Sequence, residues 1–160
     1  RYFTSHGPAT VQDFAWWTGQ TLGDARRALA DASQHLMQEQ IDGKTYWMAP
    51  PSAYKEAPAS AVYLLPGFDE YMLGYQDRSA VLSPEHAPKI HPGANGMLHA
   101  TLVIDGRIQG VWRRTLLKKS VLVTISPFGT LKPAQRHDAG AAAERYAAFL
   151  GLSLEVDWQE

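Results

Sequence analysis

Residues 10–48 read TVQDFAWWTGQTLGDARRALADASQHLMQEQIDGKTYWM, and their patterning decides the first half of the fold. Thr10 stands three residues before Asp13, an N-cap with an acidic partner at N3, close to a capping box. The helix this starts turns Val11, Phe14 and Trp17 inward and stops near Gly19. Thr21 and Asp24 repeat the start signal. The second helix runs to about Ala32, with Leu22, Ala25, Leu29 and Ala32 at 3–4 spacing. Met37–Ile41 and Lys44–Met48 then read as two strands joined by Asp42-Gly43, a pair suited to a type I′ turn. With a short opening helix around Arg1–Ser5, the order is helix, helix, turn, helix, two-stranded wing. That is the order of a winged helix-turn-helix.

Working outward, residues 50–60 (PPSAYKEAPAS) form a Pro/Ala-rich connector. Residues 61–160 carry a different pattern. Val62–Leu65 is an apolar strand, and Gly67–Asp77 a loop or short helix. Leu98–Ile104, Asp105-Gly106 and Arg107–Leu116 repeat the hairpin chemistry. Val121–Ile125 adds a strand, Pro133–Leu150 an alanine-rich helix, and Leu152–Asp157 a last strand. The expected class is α+β. Residues 1–49 make a winged helix and residues 61–160 a mostly antiparallel sheet or barrel-like lobe with a C-terminal helix.

The chain has 160 residues, 45 % of them hydrophobic and 19 % charged, enough for a buried core. Cysteine is absent, which excludes disulfides, thiolate metal sites and cysteine nucleophiles. No apolar run reaches the length of a membrane span and no leader pattern opens the sequence, so a cytoplasmic address is expected. The first residue is Arg1, which reads as a piece of a longer protein. A formal net charge of −1 argues against a broadly basic coat for nucleic acid, although a whole-chain sum hides local faces.

The clearest local face lies between Gly106 and His137, which hold seven Lys/Arg and no Asp or Glu. Arg107, Arg113, Arg114, Lys118 and Lys119 mark a basic hairpin suited to a phosphate backbone or a minor groove. The same charges also protect an edge strand. Adjacent strand residues face opposite ways, so Arg113 and Arg114 cannot both meet one partner. Arg26 and Arg27 fall on the exposed side of the second long helix, either as groove contacts or as a solvated face beside Asp24 and Asp31. Asp69, Glu70 and Asp77 form an acidic cluster with the chemistry of a general base, or of carboxylates held ionised by Arg78. The six histidines show no zinc spacing, Pro92–Gly96 lacks the features of a phosphate loop, and no nucleophile elbow occurs.

Three separated stretches carry a resemblance. Residues 64–78, LLPGFDEYMLGYQDR, are one; Asn95-Gly96 with residues 103–113, VIDGRIQGVWR, are the second. The third is His6-Gly7-Pro8-Ala9-Thr10 with Asp13-Phe14-Ala15 and Ala25-Arg26-Arg27-Ala28-Leu29. Together they resemble the bacterial winged-helix DNA glycosylases related to AlkZ and YcaQ, over nearly the whole chain. The resemblance implies an enzyme family that removes alkylated bases, including bases in interstrand crosslinks, with no metal or organic cofactor. It implies several winged helices and a β-barrel lobe around DNA, this chain being the C-terminal part. Double-stranded DNA and the N-terminal remainder of the parent are then the partners, and no membrane is involved. Asp69, Tyr71, Tyr75, Asp77, Arg78 and Asn95 are motif positions with a structural or junction role. The family's catalytic Gln-apolar-Gln or Gln-apolar-Asp signature belongs to the N-terminal part and is absent. Gln38-Glu39-Gln40 matches only its spacing, with a charged centre in a wing strand. The chain is therefore expected to hold no catalytic residue and to lack base excision by itself.

Two rival readings stay open at the level of sequence. One is a non-enzymatic winged-helix regulator or protein-interaction module, favoured by the near-zero charge. The other is a small-molecule enzyme using Asp69 or Asp77, which requires a closed pocket around that segment.

Overall fold

The computed structural model describes residues 1–50, 61–91 and 96–159. They fall into two compact units, each described by itself. The first holds residues 1–50 together with Glu70–Arg78, and the second holds residues 61–69 and 79–159. The connector, apart from Pro50, lies outside the described residues, as does Asn95.

The first unit opens with α1 (Tyr2–His6), α2 (Val11–Thr18) and α3 (Leu22–Ala32), followed by a 3-10 turn at Ser33–His35. Thr10 closes a capping box: its hydroxyl oxygen accepts from the Asp13 amide at 3.2 Å, and Asp13 Oδ2 accepts from the Thr10 amide at 2.9 Å. Gly19 ends α2 in the left-handed region at φ 69°, where glycine pays no steric penalty. Strands β1 (Met37–Ile41) and β2 (Lys44–Met48) pair antiparallel, with Ile41 opposite Lys44. Asp42 and Gly43 both have positive φ, as a type I′ turn demands. Ala9 adds a short bridge on the far side of β2, exchanging hydrogen bonds with Trp47.

Tyr2, Phe3, Ala9 and Leu29 form this unit's core, with Val11, Phe14, Leu36, Trp47 and Tyr75 packed around them. Trp17, expected inside, is 45 % exposed. Two successive steps of three residues drift round a helix of 3.6 residues per turn, and the third position leaves the buried stripe. Ala32, also expected inside, is exposed because it ends α3.

The second unit is built on a five-stranded sheet in the order β3-β4-β5-β6-β7. The strands are β3 (Val62–Leu65), β4 (Ala100–Ile104), β5 (Arg107–Leu116), β6 (Ser120–Pro127) and β7 (Ser153–Trp158). The first four pair antiparallel, and β6 pairs with β7 in parallel. This sheet is open and mixed rather than barrel-like. A parallel pair needs a crossover, and α6 (Pro133–Leu150) provides it. The helix lays Ala139, Ala143 and Ala147 on one sheet face, against Val121, Val123, Ile125, Leu102 and Trp112. Small alanines let helix and sheet approach closely. Two short helices complete the chain: α4 (Glu70–Leu73) in the first unit and α5 (Ala87–Ile90) in the second.

Candidate nucleic-acid interface

The distal half of β5 and the turn after it form the most exposed part of the sheet unit. Every residue from Arg113 to Lys119 is exposed, whereas Val121 and Val123 opposite are buried. Leu116 pairs with Val121 and the Leu117 amide donates to the Ser120 carbonyl at 2.9 Å, closing the turn. Lys118 and Lys119 occupy it. Leu116 and Leu117 are 59 % and 44 % exposed. Sequence reading passed over this apolar pair; its signal was two leucines running directly into a Lys-Lys turn.

The structure separates the two neighbouring arginines. The Arg114 guanidinium donates to the Tyr146 hydroxyl of α6 and lies over that ring, 5.8 Å from its centroid. Trp112, on the same face, meets Tyr146 edge-on at 5.2 Å and donates its indole N–H to the Leu65 carbonyl at 2.8 Å. Arg113 points to the opposite face, in a row that crosses Thr124 of β6 and ends on Asp157 of β7. Thr115 shares its row with Leu122 and Glu155. Two carboxylates on β7 therefore share this face two strands away, about 10 Å across the sheet from β5, and Arg113 stands at its cationic margin. Arg107 is exposed beside the Asp105-Gly106 turn at the other end of β5, about 30 Å from the Leu116 end. The hairpin arginines and lysines thus do not form one cluster.

On α3, Arg26 and Arg27 are both exposed, and Arg27 pairs with Asp24 one turn earlier. The charge around them is acidic. The described residues of the first unit hold seven carboxylates against five Lys/Arg, while those of the second hold nine Lys/Arg against seven carboxylates.

The acidic-aromatic stretch from Glu70 to Arg78 is fastened into the first unit by side chains of its helices. Tyr2 donates to the Gly74 carbonyl at 2.6 Å, and Tyr75 donates to the His6 carbonyl at 2.6 Å. The indoles of Trp16 and Trp17 donate to the Leu73 carbonyl at 3.2 Å and to Glu70 Oε2 at 2.9 Å. Asp13, 2 % exposed, uses its Oδ1 to accept the Gln76 and Asp77 amides at 2.9 and 3.2 Å. Its Oδ2 takes the Thr10 hydroxyl at 2.7 Å as well as the Thr10 amide. Asp77 meets the Lys44 ammonium, and Arg78 Nε donates to the Met72 carbonyl at 2.6 Å.

Local electrostatics follow from these contacts. Burial, then the Asp13 charge, raises the Tyr2 phenol well above its ordinary range. Burial raises Tyr71 and lowers Arg78, and the Asp77 hydrogen bond raises Lys44. Asp69 is half-buried in the second unit, next to Phe68. A cleft of about 450 Å³ is lined by Thr10, Gln12, Asp13, Lys44, Trp47 and Asp77, among others. Its carboxylates are engaged, Asp13 by four donors and Asp77 by Lys44, which leaves neither placed as a free general base. Among the described residues no three His, Asp or Glu side chains group as metal ligands, and no helix is long and apolar enough to cross a membrane.

Comparison with known proteins adds three matches. A family model, DNA glycosylase AlkZ-like, matches residues 1–149. The interstrand DNA cross-link repair glycosylase of Streptomyces sahachiroi is 28 % identical over 148 residues, covering 88 % of this chain and 39 % of that protein. The solved structure of Streptomyces sahachiroi DNA glycosylase AlkZ superposes with a TM-score of 0.71 at 26 % identity, over 97 % of this chain and 43 % of that one. The chain spans about two fifths of the length of these relatives.

Proposed function

Since the chain belongs to the AlkZ-like DNA glycosylase family, we propose that it is the duplex-binding part of a DNA-repair glycosylase, acting on alkylated or crosslinked DNA. The exposed end of the β5–β6 hairpin carries this reading: Arg113, Lys118 and Lys119 beside the uncovered Leu116 and Leu117. The cations neutralise phosphates and release counterions. The leucines lie against the floor of the minor groove, where apolar side chains wedge base steps apart. A glycosylase must take its target base out of the stack, and such a wedge lowers that cost. Within the first unit, α1–α3 and β1–β2 correspond to a winged helix, with Arg26 and Arg27 as backbone contacts. The segment from Asp69 to Arg78, Tyr71 and Tyr75 included, serves as structural support. The catalytic glutamine motif belongs to the N-terminal remainder of the parent, so this chain alone binds without excising.

Binding of labelled duplex to the chain, followed by fluorescence anisotropy across a salt series, tests the proposal. Affinity should fall linearly in log salt, and replacing Lys118 and Lys119 by alanine should lower the slope by about two. Unchanged affinity in that variant places the contact elsewhere. A second reading, a protein-interaction role, is favoured for the first unit alone by its excess of carboxylates. It predicts that Arg26→Ala and Arg27→Ala leave duplex affinity unaltered.

A further inference from the structure

Gly67 and Phe68 form a turn after β3. Gly67 is pressed onto β4's leading loop so closely that a Cβ there would stand 2.7 Å from the Leu98 carbonyl oxygen, so only glycine fits. Phe68 is the unexpected residue. Its φ is +63°, in the left-handed region that glycine and asparagine enter cheaply and an aromatic side chain does not. Asp42 and Asp105, the other described non-glycine residues with positive φ, sit in type I′ turns. Phe68 is 49 % exposed, so packing recovers only part of the strain. A phenylalanine at a turn position that glycine would fill without strain, and that the core does not enclose, points to a use outside the fold.

We infer that Phe68 is a base-stacking residue, presenting its ring to an unpaired or extruded nucleobase; this rests on the DNA-binding reading above. Asp69 and Glu70 follow it directly, and two carboxylates repel a phosphate backbone. A base turned out of the helix brings its flat face away from the phosphates, and aromatic stacking is indifferent to base identity. The turn holds the ring in one place before the base arrives, which removes part of the ordering cost of binding.

The test uses two labelled duplexes, one fully paired and one with a single unpaired 2-aminopurine, titrated with the chain and with Phe68→Ala, Phe68→Gly and Phe68→Trp. The chain should prefer the unpaired duplex and quench its 2-aminopurine emission. Phe68→Ala and Phe68→Gly should both lose that preference by about tenfold while binding the paired duplex unchanged, and Phe68→Trp should restore it. Phe68→Gly should melt about 2–4 °C above Phe68→Ala, because glycine releases the backbone strain. Equal loss in two variants of different stability ties the effect to the ring. Retention of the preference in Phe68→Gly overturns the inference, as does the absence of any preference in the unsubstituted chain. Failure of the chain to bind either duplex overturns the parent reading as well, and so the two failures are told apart.

Discussion

Asp13 was legible in the sequence only as half of a capping box. The structure gives its second oxygen an equal task, holding the amides of Gln76 and Asp77. Nothing in residues 10–13 signals a partner more than sixty positions away, because a carboxylate that caps a helix looks the same whether or not its other oxygen is occupied. Asp13→Asn offers an amide donor where the Thr10 amide already donates, and so leaves buried donors facing each other. A loss of about 3 kcal/mol is expected by urea denaturation, with faster hydrogen exchange at Gln76 and Asp77. Trp17 teaches the same lesson in reverse. Its helical spacing marked it for the core, yet its indole N–H needed an acceptor, and it lies outside on Glu70. The raised phenol of Tyr2 has a pH consequence. The fold favours its neutral form, so the native state holds that proton longer than the unfolded chain. Stability is therefore intact below the ordinary tyrosine value of about 10 and falls as pH climbs above it. The raised Lys44 acts in the same direction. Melting temperature measured between pH 8 and 11 should drop more steeply in the unsubstituted chain than in Tyr2→Phe. A Tyr2→Phe curve of equal slope would assign the alkaline loss to other groups.

At the scale of elements, turn chemistry and caps were the readable signals. The first Asp-Gly hairpin, Arg107–Leu116 and Pro133–Leu150 have the bounds their residues imply, because turn and cap chemistry is local, whereas the strand expected from Leu98 begins at Ala100. The short helix α5 carries no such device: four residues with an internal proline show no period, and only the burial of Ile90 gives it a reason. The open edge of the sheet was hidden for another cause. Strand pattern alone does not report partners, and the parallel pairing of β7 depends on where α6 delivers the chain. For the candidate interface, alternation correctly set Arg113 and Arg114 apart, but only Tyr146 decides which of them is engaged. The two substitutions should therefore differ. Arg113→Ala should weaken duplex binding and lower the salt slope by about one. Arg114→Ala should leave that slope nearly intact and cost less than about 1 kcal/mol in a denaturant titration. Equal effects on binding would show that the Tyr146 contact yields to DNA.

At the scale of the whole molecule, charge is divided rather than neutral. A total of −1 hides a helical unit with a carboxylate excess and a sheet unit with a cation excess. The path of the chain divides in another way. It enters the second unit along β3, returns to the first for Glu70–Arg78, and goes back to the second for β4 to β7. A fragment ending before residue 61 lacks Tyr75 from its core and the amides that Asp13 accepts. It should expand and show little protection in hydrogen exchange, whereas adding residues 70–78 through a flexible linker should restore protection. This threading has a genetic consequence. No single crossover in the gene can hand one unit to a new protein and leave the other whole, so recombination must pass them on together or break both.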